Sequence, residues 1–144
     1  MNQRKLNNKG FSLVELIVVI AIMAVLIGLL APQFIKYVNR SRYATDIKNG
    51  QEIATVTQTL IADRVVSGSS VDAGEAFNDS GDVFKAAKAN NLASEVPKSK
   101  VDPDKGFIIK YDAKTGKVEV YAQSNDEKNM VYPKLGSTYE GYNK

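Results

Sequence analysis

Lys9-Gly10-Phe11-Ser12-Leu13-Val14-Glu15 runs directly into an apolar block, Leu16 to Ala31, which Pro32-Gln33 closes. As a helix, the stretch from Phe11 to Ala31 would be about 31 Å long, close to the thickness of a bilayer's hydrocarbon core. Glu15 is its one ionisable residue. An acid inside a span costs about 2.5–3.5 kcal/mol on insertion scales, so it requires a partner, a function or a path to the interface.

The charge on either side of this block is unevenly placed. Arg4, Lys5 and Lys9 stand in the first ten residues, where there is no acid. The formal charge of the whole chain is +3, so the remainder is neutral. Bulk charge therefore gives no argument for nucleic-acid binding once the leader is set aside. The chain has no Cys and no His. That excludes disulfide staples and the Ser-His-Asp, Cys-His and common zinc chemistries. No Gly-rich phosphate loop is present, and neither a catalytic set nor a cofactor is expected.

A secretory signal peptide would carry a shorter apolar core and a small-x-small cleavage site. Here the run is long, holds an acid near its start, and places Pro32 after Ala31. A plain single-pass anchor accounts for the length but not for the pattern around Gly10.

That pattern, Lys9-Gly10-Phe11-Ser12-Leu13-Val14-Glu15-Leu16, closely resembles the processing site of type IV prepilins and the related pseudopilins. In those proteins a basic leader ends in Gly. An aromatic or Met residue follows, then a small hydroxyl residue, and a Glu stands four beyond the aromatic. The resemblance covers Lys9 to Pro32 strongly and the remainder only in layout. It implies cleavage between Gly10 and Phe11 by a membrane prepilin peptidase and N-methylation of the new Phe11 amine. It also implies subunit assembly through Phe11 and Glu15, the Phe11 amine of one copy meeting the Glu15 carboxylate of the next. The partners so implied are copies of this chain, the peptidase, a platform protein, an ATPase, and membrane lipid before assembly. A host surface or DNA is a candidate external partner.

Lys36, Arg40 and Arg42 beyond the block match the leader's three cations, so charge bias alone does not orient the span. The resemblance implies a single-pass precursor in the cytoplasmic membrane, N-terminus inside, and then an extracellular filament. The expected role is that of a structural subunit, a major pilin, of a type IV pilus; the alternative is a pseudopilin of a type II secretion or competence system.

Working outward, the chain divides into a leader (1–10), a membrane and polymerisation segment (11–32), an amphipathic segment (33–66) and a head (67–144). Pro32 lacks an N–H and Gly28 weakens the same turn, so a helix continuing through them is expected to kink there. The alternative is that Pro32 ends the membrane helix. Phe34, Ile35, Val38, Ile47, Ala54, Ile61 and Val65 fall at a broadly helical spacing, with Gly50 as a weak point and Ser67-Gly68-Ser69-Ser70 as the stop. The spacing drifts too far for a sustained coiled coil and predicts a helix packed under a head.

Val71 to Asp104 reads as loop-rich. Within it, Asp79-Ser80-Gly81-Asp82 offers cap chemistry for a short helix through Ala89, stopped by Asn90-Asn91. Phe107, Ile109 and Tyr111, then Val118, Val120 and Ala122, alternate on either side of a Gly-containing turn, and Met130-Val131-Tyr132 can add a third strand. The expected fold is α+β: a long N-terminal helix packed against a small C-terminal antiparallel sheet, the layout of pilins.

Many Gram-negative pilins close the C-terminal region with a disulfide, so here Tyr139 and Tyr142 must hold it by packing, or it is mobile. Asp102-Pro103-Asp104 and Asn125-Asp126-Glu127 lack calcium-loop spacing, and no metal site is expected. Lys98, Lys100, Lys105, Lys110, Lys114 and Lys117, with Tyr111 and Tyr121, form a basic stretch broken by acids, which reads as a solvated surface.

Overall fold

In the computed structural model, which describes residues 10–66 and 71–142, the apolar and amphipathic segments form one helix, α1, Leu13–Ala62. It continues through Pro32, so this proline does not end it. The leader residues 1–9, the Ser67-Gly68-Ser69-Ser70 stretch and residues 143–144 lie outside the described residues. The chain divides into two compact units, Met1–Tyr37 and Val38–Lys144.

In the first unit every residue from Gly10 to Tyr37 is exposed. This includes an unbroken series of large apolar side chains, among them Phe11, Ile17, Leu26 and Phe34. By length and composition α1 is apolar enough to cross a membrane.

The second unit holds the core. The buried positions of α1 are Asp46, Gly50, Ile53, Ala54, Thr57 and Leu60, a single face at helical spacing. This face differs from the one expected. Phe34, Ile35 and Val65 are exposed, and Ile47 and Ile61 are only half-buried. The true face contains a carboxylate, a glycine and a threonine, which an apolar pattern passes over. Thr57 is satisfied locally, its hydroxyl donating to the Ile53 carbonyl at 2.8 Å.

The helix stops at Ala62, earlier than expected and by another device. Arg64 takes a left-handed conformation (φ 57°). The Arg64 N–H donates to the Ile61 carbonyl and the Val65 N–H to the Leu60 carbonyl, both at 3.0 Å. That pair of bonds is the Schellman closure, here built without the usual glycine.

Four antiparallel strands follow in a meander: β1 Val71–Ala76, β2 Phe107–Asp112, β3 Lys117–Ala122 and β4 Met130–Tyr132. The expected β2–β3 hairpin is present, with Phe107 opposite Ala122 and Tyr111 opposite Val118. Phe107, Ile109, Tyr111, Val118, Val120 and Ala122 are buried and share the core with Ile53, Ala54 and Leu60. The third strand is also as expected.

Strand β1 corrects the loop-rich reading of Val71 to Asp104. Its sequence, Val-Asp-Ala-Gly-Glu-Ala, carries no alternation, Gly74 sits at φ +90°, and the pairing with β2 shifts register between Val71 and Glu75. A bulged edge strand leaves little periodic signal to read.

Helix α2, Asp82–Ala89, forms where expected but is capped differently. Gly81 stands at the N-cap and no acid of the 79–82 run caps it. Instead Glu75 reaches across from β1, its Oε1 accepting from the Val83 N–H at 3.0 Å. Asp79 and Asp82 make exposed pairs with Lys88 and Lys85, both at 3.6 Å, which contribute little.

Gly50 is a point of close approach, not of weakness. A Cβ there would collide with the Val131 side chain of β4. We expect Gly50→Ala to destabilise the head by about 1–3 kcal/mol, the cost of overpacking a filled core. Gly28→Ala, with nothing within 4 Å, should leave the head's stability unchanged. Denaturant titration of the full chain in detergent, followed by tyrosine fluorescence, measures both.

Candidate assembly site and head anchor

Two polar constructions stand out, one in each unit. The first begins at Ser12. Its backbone carbonyl takes the first helical bond, from the Leu16 N–H at 3.2 Å. Its hydroxyl accepts from the Val14 N–H at 3.3 Å, and the Glu15 carboxylate reaches back to accept from the Ser12 N–H at 2.8 Å. Ser12 and Glu15 therefore form a reciprocal capping box that satisfies two otherwise orphaned N–H groups.

Glu15 thus has a partner within its own chain, which the reading of an acid awaiting a neighbour left out. The signal was present in Ser12-Leu13-Val14-Glu15. One carboxylate oxygen, Oε2, takes the Ser12 N–H; Oε1 accepts no hydrogen bond from a described residue. Gly10 and Phe11 precede the helix and are exposed, with nothing within 4 Å of a Cβ placed on Gly10. Gly28 and Pro32 both lie inside α1 and are exposed, so neither belongs to a buried site in the subunit.

The second construction centres on Asp46, whose side chain is fully buried. The Ser99 hydroxyl donates to Oδ2 at 2.5 Å and the Tyr139 hydroxyl to the same oxygen at 3.2 Å. The Lys100 N–H donates to Oδ1 at 2.6 Å. Ser99 Oγ in turn accepts from the Val101 and Asp102 N–H groups, so the carboxylate organises the whole 99–102 turn. One side chain on α1 thereby holds the segment before β2 and the C-terminal helix α3, Ser137–Glu140.

Aromatic packing extends this anchor. Tyr43 meets Tyr139 edge-on at 5.3 Å and stacks on Tyr142 at 3.7 Å. The expectation that Tyr139 and Tyr142 hold the C-terminal region without a disulfide is met. Asp46 was the residue missed: it reads as one more charged position between apolar ones. What marks it is its place one turn before Gly50, on the face that continues through Ala54 and Thr57.

Asp102 and Asp126 have local tasks. Asp102 pairs with Lys105 at 3.5 Å, and Asp126 accepts from the Lys128 N–H at 3.1 Å, capping a short 3-10 turn, Glu127–Asn129. Tyr111 and Tyr121 are buried, so neither offers an open ring for stacking a base. Lys110 lies over the Tyr121 ring at 4.9 Å, and the Tyr121 hydroxyl donates to Glu119 at 2.9 Å.

Several tyrosines titrate above their ordinary value of 10.0. Burial raises Tyr139, and the Asp46 charge adds to it. Burial followed by the hydrogen bond to Glu119 pushes Tyr121 up to about 12. Tyr43 and Tyr111 are raised chiefly by burial.

Residues 5–31 match the family model described as the prokaryotic N-terminal methylation motif, which is the prepilin leader signature of type IV pilins and pseudopilins. No curated protein and no solved structure matches the chain. The layout of one long helix followed by a four-stranded antiparallel sheet fits the pilin fold.

Two outcomes are expected. Asp46→Ala should destabilise the head by about 3 kcal/mol, because it strands three donors that now serve a charged acceptor. Thermal melts of the variant and of the parent chain read this. Because these tyrosines hold their protons more tightly folded than unfolded, their contribution to stability should be constant below pH 10 and be lost as pH rises through 10 toward 12. Tyr139→Phe should flatten part of that alkaline decline in a pH series of denaturation midpoints.

Proposed function

We propose that this chain is a structural subunit, a type IV pilin or pseudopilin, that is processed after Gly10 and polymerises through its N-terminal helix. The methylation motif supports the general class. A membrane-anchored precursor is in keeping with the motif and with the apolar helix. The observation that supports the assembly reading is Glu15: one carboxylate in the otherwise uncharged, exposed stretch from Phe11 to Ala31, with one oxygen taken by Ser12 and the other accepting no hydrogen bond from a described residue.

Cleavage between Gly10 and Phe11 would create an amine one residue before the capping box. N-methylation of Phe11 would keep that amine cationic. In a filament the Phe11 amine of one copy would then reach the open oxygen of a neighbour's Glu15. In a low-dielectric surround an unpaired charge is costly and a matched pair is not, so such a contact selects one axial register more than it adds net stability. The apolar flank from Leu16 to Ala31, first covered by lipid, would be covered by other copies. Gly28 and Pro32 would mark the turn where the helix kinks.

A major subunit of a surface pilus, acting in adhesion, motility or DNA uptake, is the role we favour, since the Glu15 and Phe11 pair suits repeated homopolymer contacts. A peptidase, a platform protein and an ATPase would be required. The same chemistry would build a pseudopilus of a secretion or competence system. Long surface fibres on cells carrying a tagged copy distinguish the first from the second.

Mass spectrometry of the mature chain should give an N-methylated Phe11 at its start; a mature chain beginning at Met1 contradicts processing. Glu15→Val should still insert and still be cut, yet yield few or no filaments in a shearing assay. Normal filament yield from that variant would sink the assembly reading.

A further inference from the structure

The pattern Asn-x-Ser occurs twice in the chain, at Asn39-Arg40-Ser41 and at Asn78-Asp79-Ser80. With a middle residue other than proline, it is the acceptor pattern for N-linked glycosylation and belongs on surface loops. The fold treats the two copies differently. Asn39 and Ser41 are exposed but lie inside α1, where each N–H is committed to the carbonyl four residues earlier. Asn78 stands in the turn between β1 and α2 and is followed by exposed Asp79 and Ser80. Its Oδ1 accepts from the Ser80 N–H at 2.9 Å and from the Gly81 N–H at 3.2 Å. The first of these bonds closes an Asx turn over the acceptor triplet. Among the described residues its Nδ2 makes no hydrogen bond. Asn78 also lines a cleft of about 330 Å³, with Phe77, Pro97 and Ile108 in its walls, so open space lies beside it.

We propose that Asn78 is an N-glycosylation site, its Nδ2 receiving a sugar from a lipid-diphosphate-linked donor. Nδ2 bonds to the anomeric carbon of the sugar while the bond from that carbon to the diphosphate oxygen breaks. The lipid diphosphate leaves with the electron pair, and the amide gives up one proton to a base of the transferase. The new linkage leaves Oδ1 untouched, so both bonds that hold the turn survive the modification. At Asn39 the same step requires α1 to open first, because a helix interior offers no turn at the triplet. The inference rests on the proposed export of the head, since donors of this kind are used on the outer face of a membrane.

Peptide mass mapping of the chain purified from its own cells tests the site. The peptide holding Asn78 should carry added sugar mass, and enzymatic release of the glycan should leave an aspartate at that position. The peptide holding Asn39 should be bare. Ser80→Ala should abolish the modification, whereas Ser80→Thr and Asn39→Gln should retain it. Both hydrogen bonds to Asn78 come from backbone N–H groups, so Ser80→Ala keeps the turn, and an unaltered thermal melt shows that the head is folded. A bare Asn78 on a chain that begins at Phe11 would overturn the site, as would sugar that persists in Ser80→Ala. A bare chain that still begins at Met1 loses the processing reading instead. The site is then decided on the folded full chain in detergent, given a purified oligosaccharyltransferase and a lipid-diphosphate sugar donor. Sugar on Asn78 in that reaction supports the site; sugar on Asn39 alone, or on neither, overturns it.

Discussion

A single buried carboxylate organises the head. Among the described residues Asp46 has no cation within ion-pair distance, and its oxygens take hydrogen bonds from Ser99, Lys100 and Tyr139. A buried anion with donors at each oxygen is tolerable; the same anion with one donor removed is not. That asymmetry makes the three contacts interdependent. The 99–102 turn, the C-terminal helix and the Tyr43–Tyr142 stack hold their places together around one side chain of α1. In a chain with no Cys, this is how a segment distant in sequence is fastened to the helix.

The two parts of α1 meet different surroundings through different chemistry. From Gly10 to Tyr37 every position is exposed and most are apolar, a stretch long and apolar enough to cross a membrane. Beyond it, one face buries Ile53, Ala54 and Leu60 under the sheet while the other stays polar. Glu15 and Asp46 show the contrast in miniature. Asp46 is completely engaged within its own unit. Glu15 is half engaged, by the Ser12 N–H, and its other oxygen accepts no hydrogen bond from a described residue. The capping box holds Ser12 and Glu15 in one geometry.

Much of the architecture was legible. The long helix, the β2–β3 hairpin and the short strand β4 announce themselves by length, by alternation and by the turn between them. The leader signature is legible for the same reason: it consists of local residues at fixed spacing. Strand β1 was not, since a bulge and Gly74 remove the alternation by which strands are recognised. The cap of α2 was misassigned because the acid that serves it, Glu75, comes from a neighbouring strand and not from the adjoining Asp79–Asp82 run. The end of α1 was placed too late because Arg64 performs a turn that composition assigns to glycine.

The amino-acid order alone determined what depends on neighbours along the chain: an apolar length sufficient for a membrane, an acid at one place within it, a capping box, and a hairpin. Tertiary structure decided what depends on neighbours across space. Gly50 is required because Val131 of β4 arrives against it, and Asp46 is buried because donors 53, 54 and 93 positions further along converge on it. Local periodicity reports which face of a helix is apolar, but it cannot report that a polar group will find its partners. That outcome is fixed only when the chain closes on itself and water is expelled.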